Sequence, residues 1–182
     1  MWIVLIFVKR IFNINTRIFW EDEKYSGEID VERCSMSLEL NKEIVRRATE
    51  ALNKQDLTSL DEWVSPDYII HTYKIRDLDE FKQYYTRLYR GFPDWHETIE
   101  DIIAEGDKVW VRITYTGTHT GDYRGLAPNG EKHTVMGVNI YRIVDGKIAE
   151  AWVVEDTLDS LKQLGVIEFT EKAKNLFPED AT

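Results

Sequence analysis

The regular spacing of apolar residues begins near Asn41 and predicts two helices before the first strand. An apolar stripe at helical spacing predicts an amphipathic helix with Asn41 as its N-cap; its members are Ile44, Val45, Ala48 and Leu52. A short second helix is predicted over residues 56–64, because Pro66 disfavours helical backbone at Ser65. Residues 67–73 are rich in β-branched and aromatic side chains, which predicts a strand.

A further amphipathic helix is predicted from Asp77 to Arg90. Asp77-Leu-Asp-Glu80 is a variant of the capping box that begins many helices, and Gly91 stands where a helix C-terminus favours glycine. The buried face of this helix is predicted to carry Leu78, Phe81, Tyr85 and Leu88.

Four long strands joined by tight turns are predicted next, over residues 95–105, 108–119, 134–144 and 147–155. Gly106-Asp107 and Asp145-Gly146 are the turns, since such dipeptides between two alternating runs favour hairpins. A last helix over 157–164 ends at Gly165. Helices followed by a mostly antiparallel curved sheet indicate an α+β domain. We predict this domain over residues 36–166, with a weakly helical tail over 167–182.

The turn at Asp145-Gly146 also predicts which residues face each other. Regular pairing from this turn puts Tyr141 opposite Glu150 and Asn139 opposite Trp152, on a polar and aromatic face. Arg142 and Glu150 then project to opposite faces, which argues against an ion pair between them. The other face is apolar, with Val138, Ile140, Ala149, Ala151 and Val153. A one-residue slip would exchange the two faces.

The two faces have different predicted uses. The polar and aromatic face is expected to be concave and to line a pocket roofed by the N-terminal helices. The apolar face is expected to be convex and to form a homodimer interface.

Composition and charge narrow the classes of function. The 182 residues include 23 Lys+Arg and 33 Asp+Glu, a formal charge of −10, which argues against non-specific nucleic-acid binding. A single cysteine, Cys34, excludes an internal disulfide and any multi-cysteine metal site. The four histidines are scattered rather than paired, so no metal site is predicted.

The N-terminal segment 1–35 is predicted to be a poorly structured or dispensable extension. Its apolar run over residues 1–8 is too short to span a bilayer, which takes about 20 apolar residues, and its basic pair follows the run. Met36 is a candidate second start, just before the helical periodicity. The alternative is a membrane-surface anchor. We expect a cytoplasmic protein without a membrane partner.

An ordered series of motifs runs through residues 40–166: Gly91-Phe-Pro-Asp-Trp95, Gly117-Thr-His-Thr-Gly121, Gly125, Asn129-Gly130, Arg142-Ile-Val-Asp-Gly-Lys-Ile-Ala-Glu-Ala-Trp152, Asp156 and Gln163-Leu-Gly165. The series resembles the SnoaL-like polyketide cyclase (ester cyclase) family of the nuclear transport factor 2-like superfamily. This resemblance implies an α+β cone, in which a strongly bent sheet wraps around the helices and a deep pocket, and usually a homodimer. It also implies ring closure by intramolecular aldol condensation without metal or cofactor.

The resemblance assigns Asp156 to the acidic residue that serves the family as general acid/base. A carboxyl desolvated by aromatic walls suits this role, whereas the alternative makes Asp156 the N-cap of the last helix. His71 and His119 are candidates to polarise the substrate by donating to a developing enolate, or to relay the proton. Each also has a purely structural alternative. His96 and His133 are expected at the surface or in the core. Candidate substrate contacts are Trp95, Trp110, Asn139, Tyr141 and Trp152.

The expected function is a cofactor-independent cyclase-like enzyme acting on a hydrophobic carbonyl or polyketide-type small molecule. Two alternatives stay open. One is an isomerase, dehydratase or hydrolase that uses the same carboxylate. The other is a non-catalytic module that binds a small molecule as a homodimer.

Overall fold

A curved five-stranded sheet packed against helices forms the main body of the protein. The computed structural model describes residues 17–21, 26–168 and 170. In chain order the elements are β1 (Arg17–Glu21), β2 (Ser26–Asp30), α1 (Val31–Asn53), α2 (Leu60–Trp63), β3 (Val64–Ile70), α3 (Leu78–Gly91), β4 (His96–Glu105), β5 (Lys108–Thr118), β6 (Lys132–Val144), β7 (Lys147–Glu155) and α4 (Thr157–Gln163).

The strands follow the order β3-β7-β6-β5-β4 in the large sheet, while β1 and β2 form a separate antiparallel ribbon. All neighbours in the large sheet are antiparallel except β3 and β7, which are parallel. One buried apolar cluster joins the inner face of the sheet to α1 and α3. The predicted α+β class with a mostly antiparallel curved sheet is confirmed.

Helix α1 begins at Val31, ten residues before the predicted start. Asn41 is therefore not an N-cap; it lies inside the helix, and its side chain donates a hydrogen bond to the Gly106 carbonyl at 3.1 Å. The predicted apolar stripe is buried as expected, with Val45 at 1% exposure. The early turns escaped prediction because Met36 and Leu40 are exposed and form no apolar stripe.

The terminal predictions have different outcomes. The ribbon β1–β2 and the start of α1 lie within residues 17–35, where the sequence predicted no element. The apolar run over residues 1–8 lies outside the described residues, as does nearly all of the tail over 167–182.

The Ser65-Pro66 pair lies inside β3 instead of separating a helix from a strand. The strand starts at Val64 and ends at Ile70, earlier at both ends than predicted. Proline is tolerated here because β3 is an edge strand, where a missing N–H costs no ladder bond. The pairing with β7 is interrupted between Val64 and Ile69, so the proline falls in an irregular stretch.

The predicted capping box at the start of α3 is confirmed. The Asp77 carboxylate accepts from the Glu80 backbone N–H at 2.7 Å, and the Glu80 carboxylate accepts from the Arg76 N–H at 2.8 Å. These bonds satisfy donors that a helix N-terminus otherwise leaves unpaired. The predicted apolar face is buried along the helix.

The β6–β7 hairpin forms at the predicted turn but has a different register. Asp145 and Gly146 have φ values of +49° and +76°, both in the left-handed region that a type I′ turn needs. A β-bulge then follows, because Ile143 pairs with Ile148 whereas Arg142 pairs with Glu150. The predicted register is therefore wrong by one residue beyond the bulge.

The bulge changes which face part of β7 presents. Asn139 pairs with Val153 and Tyr141 with Ala151, so these residues share the inner face instead of being separated. Trp152 pairs with Ile140 on the outer face. Arg142 and Glu150 lie side by side and form an ion pair, against the prediction.

Candidate active site

A cavity lies between the inner face of the sheet and helices α1, α3 and α4. Its empty space is about 960 Å³, counting the open space at its mouth. Seven of its lining residues are tyrosines. The predicted contact residues Trp95, Asn139 and Tyr141 all line it. An aromatic wall of this kind suits a flat, largely apolar ligand with a few polar groups.

Asn139 organises two tyrosine hydroxyls at the cavity wall. Its side-chain nitrogen donates to the oxygen of Tyr115 at 2.8 Å and to the oxygen of Tyr141 at 2.9 Å. Because the Tyr141 oxygen accepts from the amide, its own O–H points away from Asn139. Burial raises the pKa of Tyr141, so its hydroxyl stays protonated at neutral pH. The site therefore presents a phenol donor held by a buried amide that is 3% exposed.

A buried carboxyl, Glu97, lies behind two lining residues. It is 3% exposed and accepts hydrogen bonds from the Tyr85 hydroxyl at 2.5 Å and from the Trp95 indole N–H at 3.2 Å. Asn53 fixes its backbone by a 2.7 Å and a 2.9 Å hydrogen bond. Burial raises the pKa of Glu97, against the opposing effect of the Tyr85 and Trp95 bonds. The sequence analysis missed Glu97, although its two-residue spacing from Trp95 places both on one strand face.

Glu155 brings a second carboxyl to the cavity, at the end of β7. Its half-buried side chain lines the cavity, and the pKa of the nearby Tyr73 hydroxyl is raised by burial and by the charge of Glu155. Ser160 and Leu164, from α4 and its C-cap, line the same region. Glu155 was also missed, although it follows Val153 by two residues and so shares its inner face.

Asp156 caps helix α4 and does not line the cavity. Its carboxylate accepts from the Asp159 backbone N–H at 3.0 Å, and the residue is exposed. The capping alternative is thus confirmed, and an acid/base role for Asp156 stays a prediction. The carboxylate that follows the strand toward the cavity belongs to the preceding residue, Glu155.

Two histidines flank the Phe92 ring near α4. His119 is 1% exposed and stacks on Phe92 with 5.0 Å between ring centroids, but it does not line the cavity. His133 does line it, with Nε2 3.3 Å from the Ser160 hydroxyl. His133 is buried, as expected for a core residue, and it also contributes to the cavity wall. Burial lowers the pKa of His133, which favours the neutral imidazole.

Three predicted site residues lie on the outer face of the sheet. The His71 ring stacks on Trp152 at 4.7 Å, and its Nε2 lies 2.9 Å from the Glu150 carboxylate. Trp110 is 43% exposed and alternates with the inward residues Val109 and Val111. None of the three lines the cavity described above, and their predicted catalytic and substrate-binding roles stay predictions. The bulge turns Trp152 outward, and His71 follows the inward Ile70.

Two possible features have no counterpart in the described part of the chain. No three histidine, cysteine or acidic side chains within it are grouped in a way that could hold a metal ion. Within residues 17–21 and 26–168 there is also no helix long and apolar enough to cross a membrane.

Comparison with known proteins identifies the family. The profile of the SnoaL-like polyketide cyclases matches residues 42–164. The chain belongs to the SnoaL-like polyketide cyclase family. Aklanonic acid methyl ester cyclase DauD from Streptomyces sp. (strain C5) is 31% identical over 130 residues, covering 68% of this chain and 80% of its own. Nogalonic acid methyl ester cyclase from Streptomyces nogalater is 28% identical over 125 residues, covering 63% and 90%.

A solved structure supports the same fold for this SnoaL-like protein. Wild-type IdmH from Streptomyces antibioticus has a TM-score of 0.62 and 31% identity, covering 69% of this chain and 99% of IdmH. Because its curated relatives are cyclases, the SnoaL-like chain is an enzyme of the polyketide cyclase type.

Proposed function

We propose that this SnoaL-like cyclase closes a carbon ring by intramolecular aldol addition in a hydrophobic polyketide ester, with Glu155 as the base. The observation that carries the proposal is the position of Glu155. Among the residues described, it is the carboxylate that lines the aromatic cavity, where Tyr73 lies near it. A base must lie within hydrogen-bond reach of the proton that it removes.

The reaction balances without any added reactant. The Glu155 carboxylate accepts a proton from a carbon between two carbonyl groups, leaving an enolate. The enolate carbon attacks a ketone carbonyl of the same molecule, and a new carbon–carbon bond forms. The carbonyl oxygen becomes an alkoxide and takes up one proton. Product and substrate therefore have the same atoms, and no metal or redox step is required.

The Tyr141 hydroxyl is suited to stabilise the oxygen on which charge develops. It is protonated, and Asn139 leaves its O–H directed away from the amide. A donor fixed before the reaction stabilises a developing oxyanion without reorganisation. The aromatic wall supplies the apolar surface that holds the rest of the substrate.

The rival base is Asp156, the residue that the family resemblance selects, and two isosteric variants separate the candidates. We would measure turnover of aklanonic acid methyl ester, the compound in the names of three relatives, by Glu155→Gln and Asp156→Asn. Glu155→Gln is expected to lower kcat by about 100-fold or more. Asp156→Asn should stay within about threefold, because asparagine caps a helix as well as aspartate does.

Each other outcome has a defined meaning. Loss of turnover only in Asp156→Asn would make Asp156 the base. Full activity in both variants would exclude a carboxylate base at this strand end. If the wild-type enzyme converts neither this ester nor nogalonic acid methyl ester, yet binds them, ring closure on this class of substrate is wrong. The binding-module alternative then gains support.

We also propose that two copies pair through the outer face of the sheet. Trp110, Ile140 and Trp152 form a row across three strands, and exposed Met136 and Val138 extend it. Exposed apolar area of this kind favours association. Sedimentation equilibrium should give a dimer that Val138→Glu dissociates. A matched Val166→Glu, beyond α4, should leave it intact. A monomeric wild-type protein would contradict this interface.

A further inference from the structure

Glu97 and Tyr85 form a buried pair at the wall of the cavity that ring closure by Glu155 does not use. The Tyr85 hydroxyl donates a hydrogen bond to a Glu97 carboxyl oxygen at 2.5 Å. Tyr85 lines the cavity, whereas the Glu97 carboxyl lies behind it. The phenol oxygen therefore lies between the carboxyl and the cavity, with its O–H directed at Glu97.

Hydrogen bonds to Tyr85, Trp95 and Asn53 hold Glu97 in position. The Trp95 indole donates to the same carboxyl oxygen as Tyr85, and Trp95 also lines the cavity. The Asn53 amide pairs with both the N–H and the C=O of Glu97. A group that exchanges protons needs such fixed partners, since a small displacement interrupts transfer.

The electrostatic surroundings of Glu97 contain no charged partner. Within the described residues, the groups that interact with it are the indole of Trp95 and the phenols of Tyr68, Tyr85, Tyr89, Tyr115 and Tyr141. Phenols titrate far above neutral pH, and burial raises the pKa of these tyrosines further. A carboxyl titrates far below a phenol, so Glu97 is the first group of this cluster to lose its proton as pH rises.

Aldol closure needs an acid as well as a base. The two carboxyls placed at or behind the cavity wall, Glu155 and Glu97, lie in different environments. Glu155 is half-buried at the end of β7, whereas Glu97 is fully buried. A pair of carboxyls in contrasting environments divides into a base and an acid. Burial disfavours the charged form and raises the pKa of Glu97, which suits this carboxyl to hold a proton.

We propose that Glu97 is the proton reservoir of the reaction and that Tyr85 delivers its proton to the new alkoxide. The inference rests on the proposed ring closure and names the source of its last proton. As the carbon–carbon bond forms, the Tyr85 hydroxyl turns from Glu97 to the alkoxide, and the protonated Glu97 carboxyl donates to the phenol oxygen in its place. The Tyr85 O–H bond then breaks and its proton goes to the alkoxide oxygen. Glu97 then gives its carboxyl proton to the Tyr85 oxygen and is left as a carboxylate.

The cycle is completed after product leaves. Glu155, which gained the carbon proton, releases it to solvent at the cavity mouth. Water that enters the emptied cavity returns a proton through Tyr85 to Glu97. Tyr85 touches the substrate and is a catalytic residue, while Glu97 acts through it and is a positioning residue.

The test compares pH profiles of the full-length wild-type enzyme, Glu97→Gln and Tyr85→Phe with aklanonic acid methyl ester. Glutamine still accepts from Tyr85 and Trp95 but supplies no acidic proton. We expect kcat to fall about 100-fold in both variants with KM within about threefold. The decline of wild-type kcat at high pH, where Glu97 has lost its proton, should be absent in Glu97→Gln. A purely structural Glu97 would leave the shape of the profile unchanged.

A second measurement does not depend on turnover or on the folding of a variant. The carboxyl carbon of Glu97 in the wild-type protein, followed by NMR, should titrate above the usual glutamate range of about 4.3. An inflection at or below that range would overturn the relay. Wild-type kcat and profile in Glu97→Gln would overturn it as well.

The two proposals fail in different ways. If Glu155→Gln is inactive while Glu97→Gln and Tyr85→Phe are fully active, ring closure stands and the relay is wrong. If the wild-type enzyme converts no ester, ring closure is wrong. The effect of ester binding on Glu97 then tests the Glu97–Tyr85 pair by itself. An unchanged Glu97 carboxyl resonance on ester binding would then reject the relay too.

Discussion

Glu155 and Asp156 are consecutive residues whose carboxylates serve different purposes: that of Glu155 lines the cavity, and that of Asp156 caps helix α4. The division follows from backbone geometry. Strand β7 ends at Glu155 with its side chain on the inner face, and the chain then turns into α4. The residue at that turn satisfies helical amides and does not face a ligand.

Replacement of Asp156 by alanine should lower stability and spare catalysis. Loss of the bond to the Asp159 N–H is expected to reduce the free energy of unfolding by about 1 kcal/mol. Urea denaturation measures this, and Asp156→Asn, which keeps a capping oxygen, is the control and should change it by only a few tenths. A stability loss in Asp156→Asn as large as that in Asp156→Ala would contradict the capping assignment.

Removal of the His71 imidazole should leave turnover nearly unchanged. The ring stacks on Trp152 and contacts Glu150 on the outer face, away from the cavity. We expect His71→Ala to keep kcat within about threefold and to destabilise the fold by no more than about 1 kcal/mol, as for exposed ion pairs. Steady-state kinetics with thermal unfolding tests this. A 100-fold loss of kcat in a folded variant would return His71 to the active site.

Removal of the Tyr141 hydroxyl should slow the chemical step. Tyr141→Phe takes away the donor that Asn139 orients, and we expect kcat to fall about 100-fold with little change in substrate affinity. Tyr89→Phe is a matched control, since the Tyr89 hydroxyl donates to the Leu52 carbonyl and does not line the cavity. Equal kcat losses in the two variants would point to a general packing effect.

Gly137 gives the Tyr115 ring its space, so an added methyl group should be costly. A Cβ atom there would lie 2.9 Å from Tyr115 Cε2 and 3.0 Å from the Val154 carbonyl oxygen. We expect Gly137→Ala to lower the free energy of unfolding by about 1–3 kcal/mol. Thr134→Ala, on the exposed face of the same strand, should change it by less than about 0.5 kcal/mol. A neutral Gly137→Ala would show that the ring moves freely.

The Glu97 carboxyl should make stability fall as pH rises. Its pKa is raised by burial in the folded state, so the folded protein binds more protons than the unfolded chain between the two pKa values. The free energy of unfolding therefore decreases there with increasing pH, by up to about 1.4 kcal/mol per pH unit.

Glu97→Gln should remove this part of the pH dependence. Urea denaturation from pH 4 to pH 8 measures the free energy of unfolding of the variant and of the wild type. The difference between the two should shift in favour of the variant as pH rises. A constant difference across that range would mean that Glu97 has the same pKa in both states.

Features governed by neighbouring residues were predictable from the sequence. The α3 capping box needs only Asp77 and Glu80, and the type I′ turn needs only Asp145 and Gly146. Each element depends on contacts within a few residues, so local chemistry determines it. Membership of Asn139 and Tyr141 in the cavity wall was predicted correctly for the same reason, because both belong to one strand with strict alternation.

Features that depend on pairing between strands were not predictable in the same way. Counting outward from Asp145-Gly146 assumes a regular ladder, and no glycine or proline marks the bulge near Ala149. Trp152 was therefore assigned to the wrong face. The apolar residues of β7 do indicate the bulge. Ile148 and Ala151 are three positions apart, which would put them on opposite faces of a regular strand, yet both are buried.

The carboxyls of the site were missed because their burial is a tertiary property. Nothing in the residues adjoining Glu97 shows that Tyr85, twelve positions earlier, will supply its hydrogen bond. Glu155 and Asp156 are equally acidic in sequence, and only the position where the strand ends separates them. The early part of α1 was missed for a related reason, as its apolar residues Met36 and Leu40 are exposed.

The bulge in β7 also bears on how such an enzyme changes over generations. Ala149 is the extra residue of the bulge, so a deletion there would leave Glu150 opposite Arg142 and Trp152 opposite Ile140. The outer face and the cavity wall would therefore keep their residues. A deletion between Ala151 and Glu155 has no such extra residue to absorb it, and it would turn Glu155 to the outer face without any substitution.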